Sequence, residues 1–371
     1  MLNRLLRKSP PVPRLHIAQR VIDKMQIAAN TFVEDETGEA MVGLMIGGRE
    51  QAALCVLDTI SPDASAVRQL HTFQQGDELQ DEIMWWWREN WEMERRKSGR
   101  GWFGKRREWD VPLRYLGDWH KQPGHMIAPS GGDLQTALEW LDEAPDDAPF
   151  LLVPIVTLEH PATIDPAPAD VNYVLVDQGD GSALRVDWWY VHRDWGVFQP
   201  ITPIVVENAD LPELAPVAWH LNDQDRSADE WEALEAGDFA ITVLLADIDA
   251  EPPLEVCVSA ARLNGAEQIY LVATPYNYPH APPQMRLAPF VNLGAGQAIA
   301  DVFPAWWQTA TPAAPAPDFV WTTDKKLVDY IQAVETHHGI RPAPQAGEST
   351  NDTESTAETG QQSIPTEDES S

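Results

Sequence analysis

The stretch Gly117-Asp-Trp-His120-Lys-Gln122-Pro-Gly-His-Met-Ile-Ala-Pro-Ser130-Gly-Gly-Asp133 decides how this chain is read. Val111 to Trp119 alternates as a strand, and Asp133 to Glu143 carries Leu134, Ala137, Leu138 and Leu141 at helical spacing. Between them, a histidine, a serine and an aspartate stand at a strand end and at a helix start. A hydrolytic zinc site needs protein ligands, an open position for water, a carboxylate base and a donor for the developing oxyanion. His120, Asp133 and Ser130 can meet part of that list. Ser130-Gly-Gly-Asp133 also opens the helix, so Ser130 is equally a plain N-cap.

Working outward, Met41 to Ile46 and Ala52 to Ile60 are short apolar runs bounded by Gly-Gly and read as a β-hairpin. Arg14 to Ala29 reads as helix on the spacing of Ile17, Val21, Ile22, Met25, Ile27 and Ala28. Asp77 to Arg96 reads as a second helix, with Leu79, Ile83, Met84, Trp87 and Trp91 on one face. Phe150 to Leu158 is expected as one buried strand. Val171 to Asp177 and Ala183 to His192 form a hairpin across Gly179-Asp-Gly181. Further on, Phe239 to Asp247, Leu254 to Ala260 and Glu267 to Ala273 read as an antiparallel meander, and Lys325 to His337 as a C-terminal helix. The expected class is α/β in the α+β sense: a mixed sheet with flanking helices, then a smaller α+β domain built on the meander.

The region from residue 12 to 198 resembles the JAB/MPN (JAMM) metalloproteases, the deubiquitinase-like hydrolases. Their pattern is a glutamate ahead of a Gly-x-x-x-Gly strand, then His-x-His-Pro, then Ser-x-x-Asp. Here it runs Glu39-Ala-Met-Val-Gly43-Leu-Met-Ile-Gly47, Trp119-His120-Lys-Gln122-Pro123-Gly124 and Pro129-Ser130-Gly-Gly-Asp133. The resemblance implies His120 and Asp133 as zinc ligands, Ser130 as the residue steadying the oxyanion, and Glu39 as general base. Glu39 lies one residue further from Gly43 than usual, which requires a bulge; Glu36 is the alternative base. Gln122 stands at the second histidine position, and a neutral amide is a poorer zinc ligand than imidazole. His125, in the following loop, is a substitute ligand or simply a solvated side chain. The implied function is a zinc-dependent isopeptidase or peptidase acting on a ubiquitin-like modifier or a protein tail. The alternative is a catalytically inactive scaffold.

The segment Thr274-Pro275-Tyr-Asn-Tyr278-Pro279-His-Ala-Pro282-Pro283 is similar to the Tyr-Pro-x-x-Pro-Pro signature of ubiquitin-conjugating enzymes and their RWD relatives. Such an enzyme carries its cargo on a cysteine downstream of the prolines. The two cysteines here are Cys55 and Cys257, both upstream and in apolar runs. The resemblance therefore implies a binding module for a ubiquitin-like protein, not a transferase. An Ig-like β-domain is the plainer alternative.

The expected organisation is an N-terminal extension (1–11), the metallohydrolase-like domain (12–198), a Pro-rich linker (199–224), the conjugating-enzyme-like domain (225–340) and an acidic disordered tail (341–371). Thr311 to Pro317 reads as a polyproline spacer. A net charge of −32 argues against nucleic acid and anionic membranes and fits a protein partner. Arg95, Arg96, Lys97, Arg100, Lys105, Arg106 and Arg107, with Trp102 and Phe103, reverse that charge locally, as a mobile solvated loop or as a contact for an acidic partner. No signal-like or membrane-length apolar run and no disulfide pattern occur, so a cytoplasmic setting is expected. Sixteen tryptophans, some in tandem, raise sugar stacking as a minor alternative to packing.

Overall fold

The structure is a computed structural model. It describes residues 11–340 apart from 48–51, 77, 99–108, 145–147, 159, 161–169, 250–252, 265–266, 292–293 and 295. The N-terminal residues 1–10, most of the basic cluster (Arg100 to Arg107) and the acidic tail therefore lie outside the described residues. Within the described part of the cluster, Arg95 meets Glu92 at 2.5 Å and Asp110 at 3.1 Å, and Arg96 meets Glu92 at 3.6 Å.

The chain is mixed α/β, with one large mixed sheet and a separate antiparallel sheet. It opens with β1 (Arg14–Ala18) and α1 (Gln19–Thr31). The sequence pattern suggested a single helix here. Leu15 and Ile17 instead enter a sheet, and the helical stripe starts at Val21, with Ile22, Met25 and Ala29 buried and Ile27 exposed. Next come β2 (Gly38–Ile46), β3 (Ala53–Ile60), the small hairpin β4 (Val67–Gln69) and β5 (Thr72–Gln74), and α2 (Glu78–Ser98). Helix α2 has Glu78 and Asp81 in its first turn and Arg95, Arg96 and Lys97 in its last, which suits the helix dipole. Then follow β6 (Leu113–Lys121), α3 (Gly131–Glu143), β7 (Phe150–Leu152), β8 (Ile155–Leu158), β9 (Tyr173–Asp177), β10 (Ala183–Asp187), β11 (Trp189–His192), β12 (Phe198–Pro200) and β13 (Pro203–Val206).

The strand order is β12-β11-β7-β6-β2-β3-β1-β13, with β8, β10 and β9 branching from β6. The segment expected as one strand, Phe150 to Leu158, is two. Val153 and Pro154 break it, since proline has no N–H to give a ladder, and each half pairs separately with β6. Likewise Ala183 to His192 splits around buried Trp188 into β10 and β11.

The second sheet is β14 (Phe239–Ala246), β15 (Glu255–Arg262), β16 (Gln268–Thr274), β17 (Gln284–Pro289) and β18 (Thr311–Ala313), in sequence order. Its helices are α4 (Trp219–Asn222), α5 (Gln224–Ala236), α6 (Ile299–Thr309) and α7 (Leu327–His338). The three-strand meander is present and gains a fourth strand and a fifth. The supposed spacer at Thr311 supplies that fifth strand, pairing Thr311 to Ala313 with β17. The supposed linker is structured too: β13 pairs in parallel with β1, so the first sheet extends to Val206. The two sheets share a continuous core running from Leu15 through Trp86 and Trp219 to Val334.

Candidate functional site

Strand β6 is central to the site. Gly117 has φ +128, and a Cβ there would lie 2.0 Å from the Leu152 carbonyl oxygen. Only glycine permits this close approach to β7. The β2–β6 register shifts beside it, between Met41 and Val42. Beyond the irregularity Gly38 opposes His120, Glu39 opposes Trp119 and Ala40 opposes Asp118. Directly opposed residues share a face and neighbours along a strand alternate. Asp118 and His120 therefore share one face, and Glu39 takes the other with buried Trp119.

That alternation turns Glu39, the expected base, to the opposite face from His120. Glu39 is buried and accepts a hydrogen bond from the Ser61 hydroxyl, away from His120. Glu36 lines the same cavity as His120, Gln122, Ser130 and Asp133. The cavity holds about 470 Å³. Burial raises the Glu36 pKa, Asp133 adds to that, and His71 and Lys121 work against it.

Helix α3 brings in the other half. Ser130 is its N-cap: the hydroxyl oxygen accepts from the Asp133 N–H at 3.2 Å, and the Ser130 N–H donates to Asp133 Oδ2 at 2.5 Å. Both sequence readings of Ser130 are compatible, because an oxygen that accepts from the backbone keeps its own O–H free to donate. The loop between Gln122 and Ser130 is tied down by Trp189 Nε1, which donates to the Ile127 carbonyl at 2.9 Å.

His120, Gln122 and Asp133 meet. The Gln122 amide Nε2 is 3.1 Å from His120 Nε2 and 3.4 Å from Asp133 Oδ2, and His120 Nε2 is 3.7 Å from Asp133 Oδ1. Burial lowers the His120 pKa, against the pull of Asp133, which favours the neutral ring. Gln122 is 7% exposed, and its Oε1 is enclosed with no hydrogen-bond partner. His125 is not among the residues lining the cavity; its ring packs edge-on to His160 at 5.8 Å.

This donor set can be compared with a tetrahedral zinc site. Ligands about 2.0–2.1 Å from such an ion lie about 3.4 Å from one another. The three separations here straddle that value. The amide turns its NH2 toward the histidine and the aspartate and leaves its oxygen stranded. A half-turn of the amide exchanges the two atoms without changing its shape. Oε1 then joins a nitrogen and a carboxylate around one point, an arrangement that a cation relieves, as does a proton on His120 Nε2. The residues fit a metal on those terms. Among the described residues no group of three or more His, Cys, Asp and Glu is placed to hold one, so a metal bound here would need the amide as its third donor.

Other residues of the cavity escaped the sequence reading. Tyr115 donates its hydroxyl to Asp118 Oδ2 at 2.5 Å and packs on Trp140 at 5.2 Å between ring centroids. His71 and Phe73 reach the cavity from the β4–β5 hairpin. Asp118 was legible from strand alternation around His120; Tyr115, three residues before it, joins that side only through the register irregularity. His71 sits alone in a polar turn, and nothing in its spacing marks it.

Elsewhere, Cys257 is fully buried on β15, where burial pushes its thiol pKa far up, so it is no nucleophile. Trp86, Trp87 and Trp188 are core, whereas Trp85 is exposed. No helix among the described residues is long and apolar enough to cross a membrane.

No family model matches the chain, and no curated protein matches it. Among solved structures, the solution structure of protein DSY2949 from Desulfitobacterium hafniense is similar over 52% of this chain and 93% of that one. The identity is 14% and the TM-score 0.28, a likeness too slight to bear on fold or function.

Proposed function

We propose that the chain is a zinc-dependent amide hydrolase of JAB/MPN type, acting on a protein tail or a ubiquitin-like modifier, with metal affinity lowered by Gln122. One observation carries this reading: Glu36 lines the same cavity as the converging donors His120, Gln122 and Asp133. His120, Asp133 and the Gln122 carbonyl would hold the ion. Bound there, zinc would polarise the scissile carbonyl and acidify water.

The remaining roles belong to the chain itself. The Glu36 carboxylate takes a proton and later returns it to the leaving amine. A carboxyl whose pKa is lifted by burial suits both tasks. The Ser130 O–H, free of the cap, can donate to the developing oxyanion. Burial on β6 favours the unprotonated His120 that is able to bind. The second sheet, with no usable thiol, serves as a binding module beside the site.

The test is release of a fluorescent amine from a ubiquitin-like tail, with and without added zinc. Zinc-dependent turnover that disappears in Glu36→Gln supports the proposal. A second reading rests on the amide in this orientation, which bridges His120 and Asp133 through neutral hydrogen bonds and needs no ion. On that reading the chain is an inactive scaffold: zinc elicits no turnover, yet the ubiquitin-like tail still binds.

A further inference from the structure

Asp118 has no part in the metal site, yet it lines the same cavity, on the same face of β6 as His120. The Tyr115 hydroxyl occupies its Oδ2. Burial raises the Asp118 pKa, and the Tyr115 and Gln75 side chains, both in the cavity, work against that. Its Oδ1 is enclosed with no hydrogen-bond partner within 3.5 Å. A carboxylate oxygen left this way is costly unless a donor arrives. Among the described residues lining the cavity there is no lysine or arginine to supply a charged one. The wall beside Asp118 is aromatic: Tyr115 packs on Trp140, and Trp140 is partly exposed.

We propose that Asp118 is a specificity-determining residue, and that the cavity accepts a lysine or arginine side chain of the bound protein segment. The methylene stem lies along Tyr115 and Trp140, and the charged head replaces the missing donor at Asp118. The net charge of −32 favours the same class of partner and disfavours acidic segments. This inference rests on the reading that a substrate chain occupies this cavity. It does not depend on metal or on turnover.

The test uses the full chain, stripped of metal, and fluorescein-labelled nine-residue peptides. These carry a central lysine, arginine, norleucine or glutamate between leucines, and binding is read by anisotropy. The lysine and arginine peptides should bind at least about ten-fold tighter than the norleucine peptide, with glutamate weakest. Asp118→Asn should erase that preference while leaving the norleucine peptide's affinity unchanged. Tyr115→Phe, which keeps the carboxylate, should retain the preference. Should Asp118→Asn fail to fold, loss of the wild-type preference in high salt tests the same charge contact. Equal binding of lysine and norleucine peptides, or a preference that survives Asp118→Asn, overturns the proposal. So does absence of any binding by the lysine peptide. A clear preference without zinc-dependent turnover would overturn the hydrolase and leave Asp118 standing. Turnover without preference would do the reverse.

Discussion

At the scale of single residues, the site turns on two glutamates that sequence spacing treats alike and the structure separates. Glu36 and Glu39 lie three residues apart, yet only Glu36 reaches the cavity. Glu36→Gln is therefore expected to lower turnover by about 10²- to 10⁴-fold while leaving zinc uptake intact. Glu39→Gln should keep near wild-type turnover, since its carboxylate faces Ser61. Initial rates of the two variants, measured beside zinc stoichiometry, check this. Equal losses would return the base to Glu39. The motif order made His120, Ser130 and Asp133 legible from sequence. The choice between the glutamates was not, because it depends on the register of β2 against β6. The buried Gln122 oxygen without a partner, on which its proposed role as a ligand rests, is also a property of packing.

At the scale of elements, the loop bearing Glu36 is fastened to β6 by Lys121. Its side chain is 2% exposed and donates to the carbonyls of Phe32 and Val33, the latter at 2.6 Å, while its backbone N–H donates to Thr37 O at 2.7 Å. Lys121→Met removes the side-chain donors but keeps the bulk. It should cost about 1–3 kcal/mol of stability and speed amide exchange across residues 32–37. Urea denaturation and hydrogen exchange test both, and unchanged exchange in that loop would contradict the assignment.

The second sheet carries a pH effect. Burial, with Asp249 and Asp247 adding to it, pushes the Glu255 pKa up to about 7. A raised carboxyl pKa favours the folded state while the group stays protonated. Its contribution is full below the unfolded value and disappears as pH rises through 7. The melting temperature should fall between pH 5 and 8, and Glu255→Gln should flatten that slope. Identical slopes in the two proteins would refute it. Elements with clean periodicity, such as α2, α3 and the meander, were readable from the chain. The failures have physical causes: β1 runs directly into α1 without a breaker, and α6 contains Pro304, which obscures a helix that packs Phe303 and Trp307 inward.

At the scale of the whole molecule, the two sheets are joined by more than a linker. Trp86 and Trp87 on α2 donate to the carbonyls of Pro216 and Ala215 at 3.0 and 2.9 Å. The Leu254 N–H donates to Asn90 Oδ1 at 2.7 Å, and Trp219 Nε1 donates to Thr274 Oγ1 at 2.8 Å. One core and these shared bonds predict one cooperative unfolding transition, in calorimetry and by tryptophan emission alike. Two resolved transitions would show that the sheets are energetically independent. The site itself lies within the first sheet and α3, so the central claim can be tested without reference to the second. The most direct measurement is zinc uptake by competition with a chelator, for wild type, His120→Ala and Gln122→His. The account predicts one ion per chain bound weakly by the wild type, none by His120→Ala, and an affinity raised at least about ten-fold in Gln122→His, where imidazole replaces the amide. Failure of both the wild type and Gln122→His to take up zinc would contradict it.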